Sequence, residues 1–138
     1  MRSFLMLILL LSSFVARGEG EIVVVVAKNS VINTLDEQYV ANIFLARTKQ
    51  YPNGEKAIPI EIKRSDIRTG FYQTISGKTP TQLNAYWTTL VFTGKGKPPL
   101  GLTDPKEVEQ RLISRPGTIT YLSADDVTDN MKVVYRFN

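Results

Sequence analysis

The chain has 138 residues, a formal net charge of +4, no cysteine and no histidine. This length allows one domain, and a hydrophobic content of 43% is enough for a packed core, which argues against disorder. Without cysteine or histidine, disulfides, thiolate or imidazole metal sites and Ser–His–Asp or cysteine hydrolysis are excluded. We therefore expect no enzyme, no metal ion and no cofactor. The mild charge lacks the concentrated basic face of a nucleic-acid binder, so we expect no nucleic-acid partner.

The amino-terminal segment has the pattern of a secretory signal peptide. Arg2 precedes the apolar run Phe4–Ala16, and small residues allow cleavage after Gly18 or after Gly20. A membrane anchor is the alternative, but Phe4–Ala16 is shorter than the roughly 20 residues of a spanning helix. The sequence predicts a leader over residues 1–18 and a secreted protein that is not an integral membrane protein.

The remaining chain, residues 21–138, alternates strands with helices. In chain order we predict a strand Glu21–Ala27, a helix from Thr34, a strand within Lys56–Lys63, a helix from Ser65 or Asp66 to Ile75, helices from Thr79 and Asp104, and strands Thr118–Leu122 and Met131–Phe137. The first strand is a continuous β-branched run, which is typical of a strand covered on both faces. The order predicts one α/β domain whose sheet is covered by helices on both faces.

Three of the helices begin with the pattern of a capping box, an N-cap side chain followed three residues later by Glu or Gln. The pairs are Thr34 with Glu37, Thr79 with Gln82, and Asp104 with Glu107.

The sequence also predicts the turns and loops between these elements and two details of packing. Tyr51–Glu55 is predicted to be a turn and Gly94–Pro99 a loop. Pro59 predicts incomplete pairing at the start of its strand, and the pair Tyr86–Trp87 is assigned to the core.

The helix that follows the strand "IEIK" lacks a capping box and carries cations at its start. Lys63, Arg64 and Arg68 surround a single acid, Asp66, where the helix dipole favours anions. Free amides together with guanidinium donors would form an anion site. The alternative is that Asp66 caps the helix and the cations point into water.

Four stretches together resemble the phosphate-binding proteins of bacterial phosphate ABC transporters: "ANIFLARTKQYPNG", "IEIKRSDIRTGFY", "YWTTLVFTGKGKPP" and "RPGTITYLSADDV". They follow the family's order and span nearly all of the chain after the leader. The resemblance implies a periplasmic-binding-protein-like fold with a mixed sheet. Because the family's binding proteins have two lobes and this chain is short, it implies a single lobe, located in the periplasm.

The family's phosphate loop, R-S-D-G-S-G-T, falls on residues 64–70. By this resemblance, phosphate or a similar oxyanion would bind at Arg64, Ser65, Asp66, Arg68, Thr69 and Gly70. Asn29 and Ser30, after the first strand, are further candidates. The family's Gly-Ser-Gly-Thr is replaced here by Ile67, Arg68, Thr69 and Gly70, so Arg68 either adds a guanidinium or fills the space of the ligand.

Two functions follow from these observations. The first is a periplasmic solute-binding-like domain for phosphate or a similar oxyanion, linked to ABC-type phosphate uptake and weak in affinity if monomeric. The alternative is a non-enzymatic structural or interaction protein of the cell envelope that uses the single lobe as a scaffold. It would bind another copy of itself or an envelope protein through Asn29 and Ser30, the loop Gly94–Pro99 or the turn Arg64–Gly70.

Overall fold

The structure is a computed structural model that describes residues 20–137, apart from the side chain of Ser65. The predicted leader lies outside the described residues. The elements are β1 (Ile22–Ala27), α1 (Glu37–Phe44), β2 (Ile58–Ile62), α2 (Ser65–Ser76), α3 (Pro80–Phe92), β3 (Leu100–Leu102), α4 (Pro105–Ser114), β4 (Thr118–Ser123), a short 3-10 turn (Ala124–Asp126) and β5 (Met131–Arg136). None of the helices within residues 20–137 is long and apolar enough to cross a membrane.

The five strands form one mixed sheet in the order β3-β2-β4-β1-β5. Strand β2 runs parallel to β3 and β4, whereas β1 runs antiparallel to β4 and β5. The carboxyl ends of β2, β3 and β4 therefore lie together along one edge of the sheet, meaning here an edge formed by strand ends and not by an outer strand. The carboxyl end of β1 lies at the opposite edge of this kind.

Both faces of the sheet are covered, as the unbroken apolar run of β1 predicts. Val24 and Val26 pack against residues of α1, α2 and α3, while Val23 and Val25 pack against Leu112 of α4. The period-2 alternation of a strand explains this division. The prediction of an α/β domain with a mixed sheet covered by helices on both faces is confirmed.

Of the three helices predicted to begin with a capping box, two have the predicted N-cap residue and one begins later. Thr79 forms the full capping box with Gln82. Asp104 is the N-cap of α4 and accepts from the Lys106 amide, but among the described residues Glu107 does not complete the predicted capping box. The predicted box at Thr34 is wrong, because the N-cap of α1 is Asp36, whose side chain accepts from the amide of Tyr39 at 2.7 Å.

The shift at α1 has a tertiary cause. Leu35 is buried, and its amide donates to the carbonyl of Val134 in β5 at 3.0 Å. Because the Leu35 amide is engaged by β5 and Asp36 is in extended conformation, the helix begins only after them.

Strand β3 has no counterpart among the predicted elements. Its three residues directly follow the loop Gly94–Pro99, which is present as predicted, and they are too few to show an alternating pattern. Strand β3 pairs with β2 only from Ile60 onward, so the incomplete pairing predicted near Pro59 is confirmed.

The Tyr51–Glu55 turn is joined to the start of β4 by close backbone packing. The Tyr51 hydroxyl donates to the carbonyl of Gly117 at 2.7 Å. Gly117 has a φ of +88°, and a Cβ at this position would lie 2.1 Å from the carbonyl oxygen of Lys56. The "RPG" before β4 therefore requires glycine for both conformation and space.

An aromatic cluster fills the core beneath α2. The rings of Phe71 and Tyr121 stack with centroids 3.8 Å apart, and Phe44 meets both edge-on. Trp87 is buried, so its assignment to the core is confirmed. Tyr86 is only partly buried against the same cluster, and its hydroxyl donates to the carbonyl of Leu45.

Candidate anion site at the amino end of α2

The candidate site lies at the edge of the sheet where β2, β3 and β4 end. Helix α2 follows β2 and α4 follows β3, each after two residues, and the 3-10 turn follows β4 directly. In open α/β sheets, ligands bind outside the carboxyl ends of the strands, so this edge is the place to look for a site.

Helix α2 begins without a side-chain cap. Its N-cap is Arg64, in extended conformation, and not Ser65 or Asp66 as predicted. The Arg64 carbonyl accepts the first helical hydrogen bond, from the amide of Arg68 at 2.9 Å. A guanidinium cannot accept a hydrogen bond from an amide, so Arg64 leaves the amides of the first turn, residues 65–67, uncapped by its own side chain.

Arg64 forms two weak ion pairs at this edge. Its guanidinium lies 3.5 Å from a carboxylate oxygen of Asp66 and 3.7 Å from one of Asp126, and all three side chains are at least half exposed. Exposed pairs of this kind contribute about 1 kcal/mol or less. Arg64 can therefore exchange these partners for another anion at small cost.

A cavity of about 200 Å³ adjoins Arg64 between α2 and α4. Its charged lining residues are Arg64, Lys106, Glu109 and Asp126, which balance one another, and its floor is apolar. Any preference for an anion here must come from local geometry and not from excess positive charge.

Glu109, on the α4 wall of this cavity, is held as a carboxylate. It accepts hydrogen bonds from the Thr128 hydroxyl at 2.6 Å and from the Asn130 amide at 3.0 Å. These two bonds lower the pKa of Glu109 below its usual value.

Arg68 is engaged by a buried carboxylate. Its Nε lies 3.3 Å from Oε1 of Glu61, whose side chain is only 6% exposed. The other carboxylate oxygen accepts the Tyr121 hydroxyl at 2.6 Å. The register pairs Pro59 with Ile119, so two residues further on Glu61 and Tyr121 are neighbours on the face beneath α2.

Tyr72 completes this buried network. The Arg68 guanidinium lies over its ring, 5.1 Å from the centroid. Its hydroxyl is buried without a hydrogen-bond partner among the described residues. Burial first, and the negative charge of Glu61 second, raise the pKa of Tyr72 and of Tyr121 well above the usual value, so both remain neutral.

Sequence patterns alone did not indicate Glu61 as part of the site. Its place in the alternation "IPIEIK" is that of a solvent-facing position. The predicted coverage of both sheet faces could have indicated that Glu61 is buried, because a strand covered on both sides buries every side chain, including a glutamate.

The other residues of the turn lie in different surroundings and do not join Arg64. The aliphatic part of the Lys63 side chain lies against Gly101 of the edge strand β3. Asp66 is exposed, and Thr69 is exposed in the second turn of α2, beyond the uncapped amides. Gly70 faces Ile22 of β1, at a distance that would allow a Cβ.

Asn29 and Ser30 are not brought to this turn. They follow β1, whose carboxyl end lies at the opposite edge of the sheet. There the Ser30 hydroxyl accepts from the amide of Ile32 at 3.1 Å, and the Ser30 carbonyl accepts from the ammonium group of Lys132. Within residues 20–137 no cluster of acidic side chains has the composition of a metal site.

No protein-family model matches the sequence, and no curated protein sequence matches it significantly. Among solved structures, the chain is similar to a protein of Clostridium perfringens assigned as a phosphate ABC transporter substrate-binding protein and crystallised with phosphate. The identity is 12% and the TM-score 0.62, over 83% of this chain and 44% of that one.

Two further solved structures give the same result. They are a Planctomyces limnophilus protein assigned as a phosphate binding protein (13% identity, TM-score 0.61, 83% and 40% covered) and an ABC-type phosphate transport receptor from Vibrio cholerae (10%, 0.56, 83% and 45%). The chain thus spans less than half the length of the structures it matches. It resembles phosphate ABC transporter substrate-binding proteins in fold, with one sheet and its helices corresponding to a single lobe.

Proposed function

We propose that this domain binds an oxyanion, phosphate or a close analogue, at the amino end of α2, and that it does so outside the cytoplasm as a solute-binding-like domain linked to phosphate uptake. The observation that carries the proposal is the start of α2. Of the four helices described, this one starts at an arginine that provides no cap, and the other three have a side chain bound to their amides.

In this proposal two kinds of donor act together there. The amides of residues 65–67 carry the partial positive charge of the helix end, and Arg64 adds a planar guanidinium that matches two oxygens of one anion. The fold supports the same position, because the edge formed by the carboxyl ends of β2, β3 and β4 is where such sheets bind ligands.

Arg68 has a different role in this proposal. Glu61 already satisfies its charge, so Arg68 anchors the first turns of α2 to β2 and positions the amides, while Arg64 contacts the ligand. This division follows from burial: the Glu61 carboxylate is beneath the helix, whereas the ion pairs of Arg64 are open to water.

The site is expected to be weak and non-catalytic. An exposed charge contact contributes about 1 kcal/mol or less, and the described residues supply only one wall of a binding cleft. The structural neighbours are substrate-binding proteins and not enzymes. We therefore expect a dissociation constant in the millimolar range, about −4 kcal/mol.

The test is thermal unfolding of the protein with phosphate and, separately, with sulfate. A ligand that binds only the folded state raises the melting temperature, and at 100 times its dissociation constant the gain is about 2.7 kcal/mol. Arg64→Ala is expected to abolish the rise. Arg136→Ala is the matched control, because Arg136 is similarly exposed and paired with one carboxylate, Glu21, at 3.6 Å.

Asp126→Asn sharpens the test in the opposite direction. It removes a carboxylate that competes for Arg64, so a larger phosphate-induced rise is expected. An equal rise in wild type, Arg64→Ala and Arg136→Ala would contradict the proposal, as would the absence of any rise in wild type and in Asp126→Asn.

A further inference from the structure

We propose that a groove at the opposite edge of the sheet docks an acidic, extended segment of a partner protein. The groove has a volume of about 560 Å³ and lies where the chain enters β2 and β3, between the end of α1 and the loop Gly94–Pro99. It is separate from the α2 amino end, and its function does not depend on oxyanion binding there.

The lining of the groove combines an apolar floor with a cationic rim. Ile43, Ala57 and Pro99 are among the apolar residues, and the charged lining residues are all lysines: Lys49, Lys56 and Lys97. In the described part of the chain, none of these three lysines forms an ion pair.

The segments around the groove reinforce this charge. Residues 46–59 and 94–100 contain five basic side chains against one acid, Glu55; the basic residues are Arg47, Lys49, Lys56, Lys95 and Lys97. The chain as a whole has 17 basic and 13 acidic residues, so cations are concentrated here well above its average. Charge complementarity favours an anionic occupant, since like charges across an interface are strongly disfavoured.

The apolar part of the groove argues for a polypeptide over a small molecule. Leu100, at the start of β3, is about half exposed, and Ile58, Pro98 and Pro99 continue the apolar lining. A small anion bound by the lysines would leave Leu100 in water. A segment with alternating acidic and apolar residues would cover it and pair its carboxylates with the lysines.

Strand β3, the outer strand of the sheet, favours an extended conformation for this segment. Strand β3 is at the end of the sheet order and pairs with β2 on one side, and its first residue, Leu100, lines the groove. An edge strand offers unpaired backbone groups to an added strand, which is a recurrent mode of peptide recognition.

The test is an NMR titration of the ¹⁵N-labelled protein with the peptide Glu-Leu-Glu-Leu-Glu-Leu, and with Lys-Leu-Lys-Leu-Lys-Leu as its charge-reversed counterpart. We expect the acidic peptide alone to shift the amides of Ala57, Ile58, Gly96 and Lys97. The double variant Lys49→Glu/Lys97→Glu is expected to weaken binding at least tenfold. Lys28→Glu, an exposed lysine that does not line the groove, is expected to leave it unchanged.

Several outcomes would overturn the inference. Equal binding of both peptides, equal binding by the double variant, or no shift with either peptide would remove the proposed complementarity. Binding of benzoate as strong as that of the acidic peptide would make the groove a small-anion site. Concentration-dependent shifts of the same amides without peptide would make the occupant a second copy of the chain. Circular dichroism of each variant verifies that it is folded.

Discussion

Glu61 is the one charged side chain fully buried in the described part of the chain, and its substitution by glutamine tests the charge network beneath α2. Glutamine has nearly the same shape, so Glu61→Gln removes the negative charge while leaving an oxygen that can still accept from Tyr121. Arg68 loses its counter-charge. The variant therefore isolates the electrostatic part of the network from packing.

The magnitude follows from the exposure of the two partners. Removing one member of a fully buried ion pair costs about 3–5 kcal/mol. The Arg68 side chain is 30% exposed and can reach water, which reduces the cost. We expect a loss of about 2–3 kcal/mol, which lowers the melting temperature by roughly 10 °C for a domain of this size.

The assay is urea denaturation followed by circular dichroism and by the fluorescence of the buried Trp87. A double-mutant cycle with Arg68→Met supplies the control. Residues coupled in one network are expected to show an interaction energy of about 1–3 kcal/mol, so the double variant should lose less stability than the two single variants together. Strict additivity, or an unchanged stability of Glu61→Gln, would refute the assignment of Glu61 as the anchor of Arg68.

Three further predictions concern pH and backbone conformation. The pKa values of Tyr72 and Tyr121 are raised in the folded state. The stabilisation from their neutral forms is therefore present below the unfolded pKa of about 10 and is lost as pH rises above it. Phenolate absorbance at 295 nm from these two rings should appear only when the protein unfolds. The pKa of Glu109 is lowered by its hydrogen bonds from Thr128 and Asn130, so its stabilisation is present above the unfolded pKa of about 4.3 and is lost as pH falls through the folded value. The melting temperatures of Glu109→Gln and wild type should differ at pH 7, and the difference should disappear as the pH falls through the folded pKa. Gly117→Ala introduces a clash with the Lys56 carbonyl and a strained φ, so a loss of about 3 kcal/mol or more is expected in urea denaturation; a loss below about 1 kcal/mol would contradict the close packing.

The sequence predicted the fold where local patterns and tertiary packing agree. The β-branched run of β1 and the Thr79 capping box are local signals that the tertiary structure leaves intact. The start of α1 differs from the prediction because the Leu35 amide is bonded to Val134, a contact 99 residues away that no local pattern contains. Strand β3 was missed because its three residues depend on their pairing with β2 for definition.

The candidate site was predictable only in outline. The cations at the start of α2 were visible in the sequence, and so was the absence of a capping box. Their partners were not, because Asp126 and Glu61 approach Arg64 and Arg68 through the order of strands and the register of β2 on β4. Those contacts decide which arginine is available to a ligand, and they depend on topology.

The most direct test of the central claim is an NMR titration of the ¹⁵N-labelled protein with phosphate at constant ionic strength. Oxyanion binding at the α2 amino end predicts saturable shifts of the Asp66 and Ile67 amides with a millimolar dissociation constant. These shifts should vanish in Arg64→Ala and remain in Arg136→Ala. Unshifted α2 amides, or shifts confined to the lysines of the opposite groove, would contradict the claim.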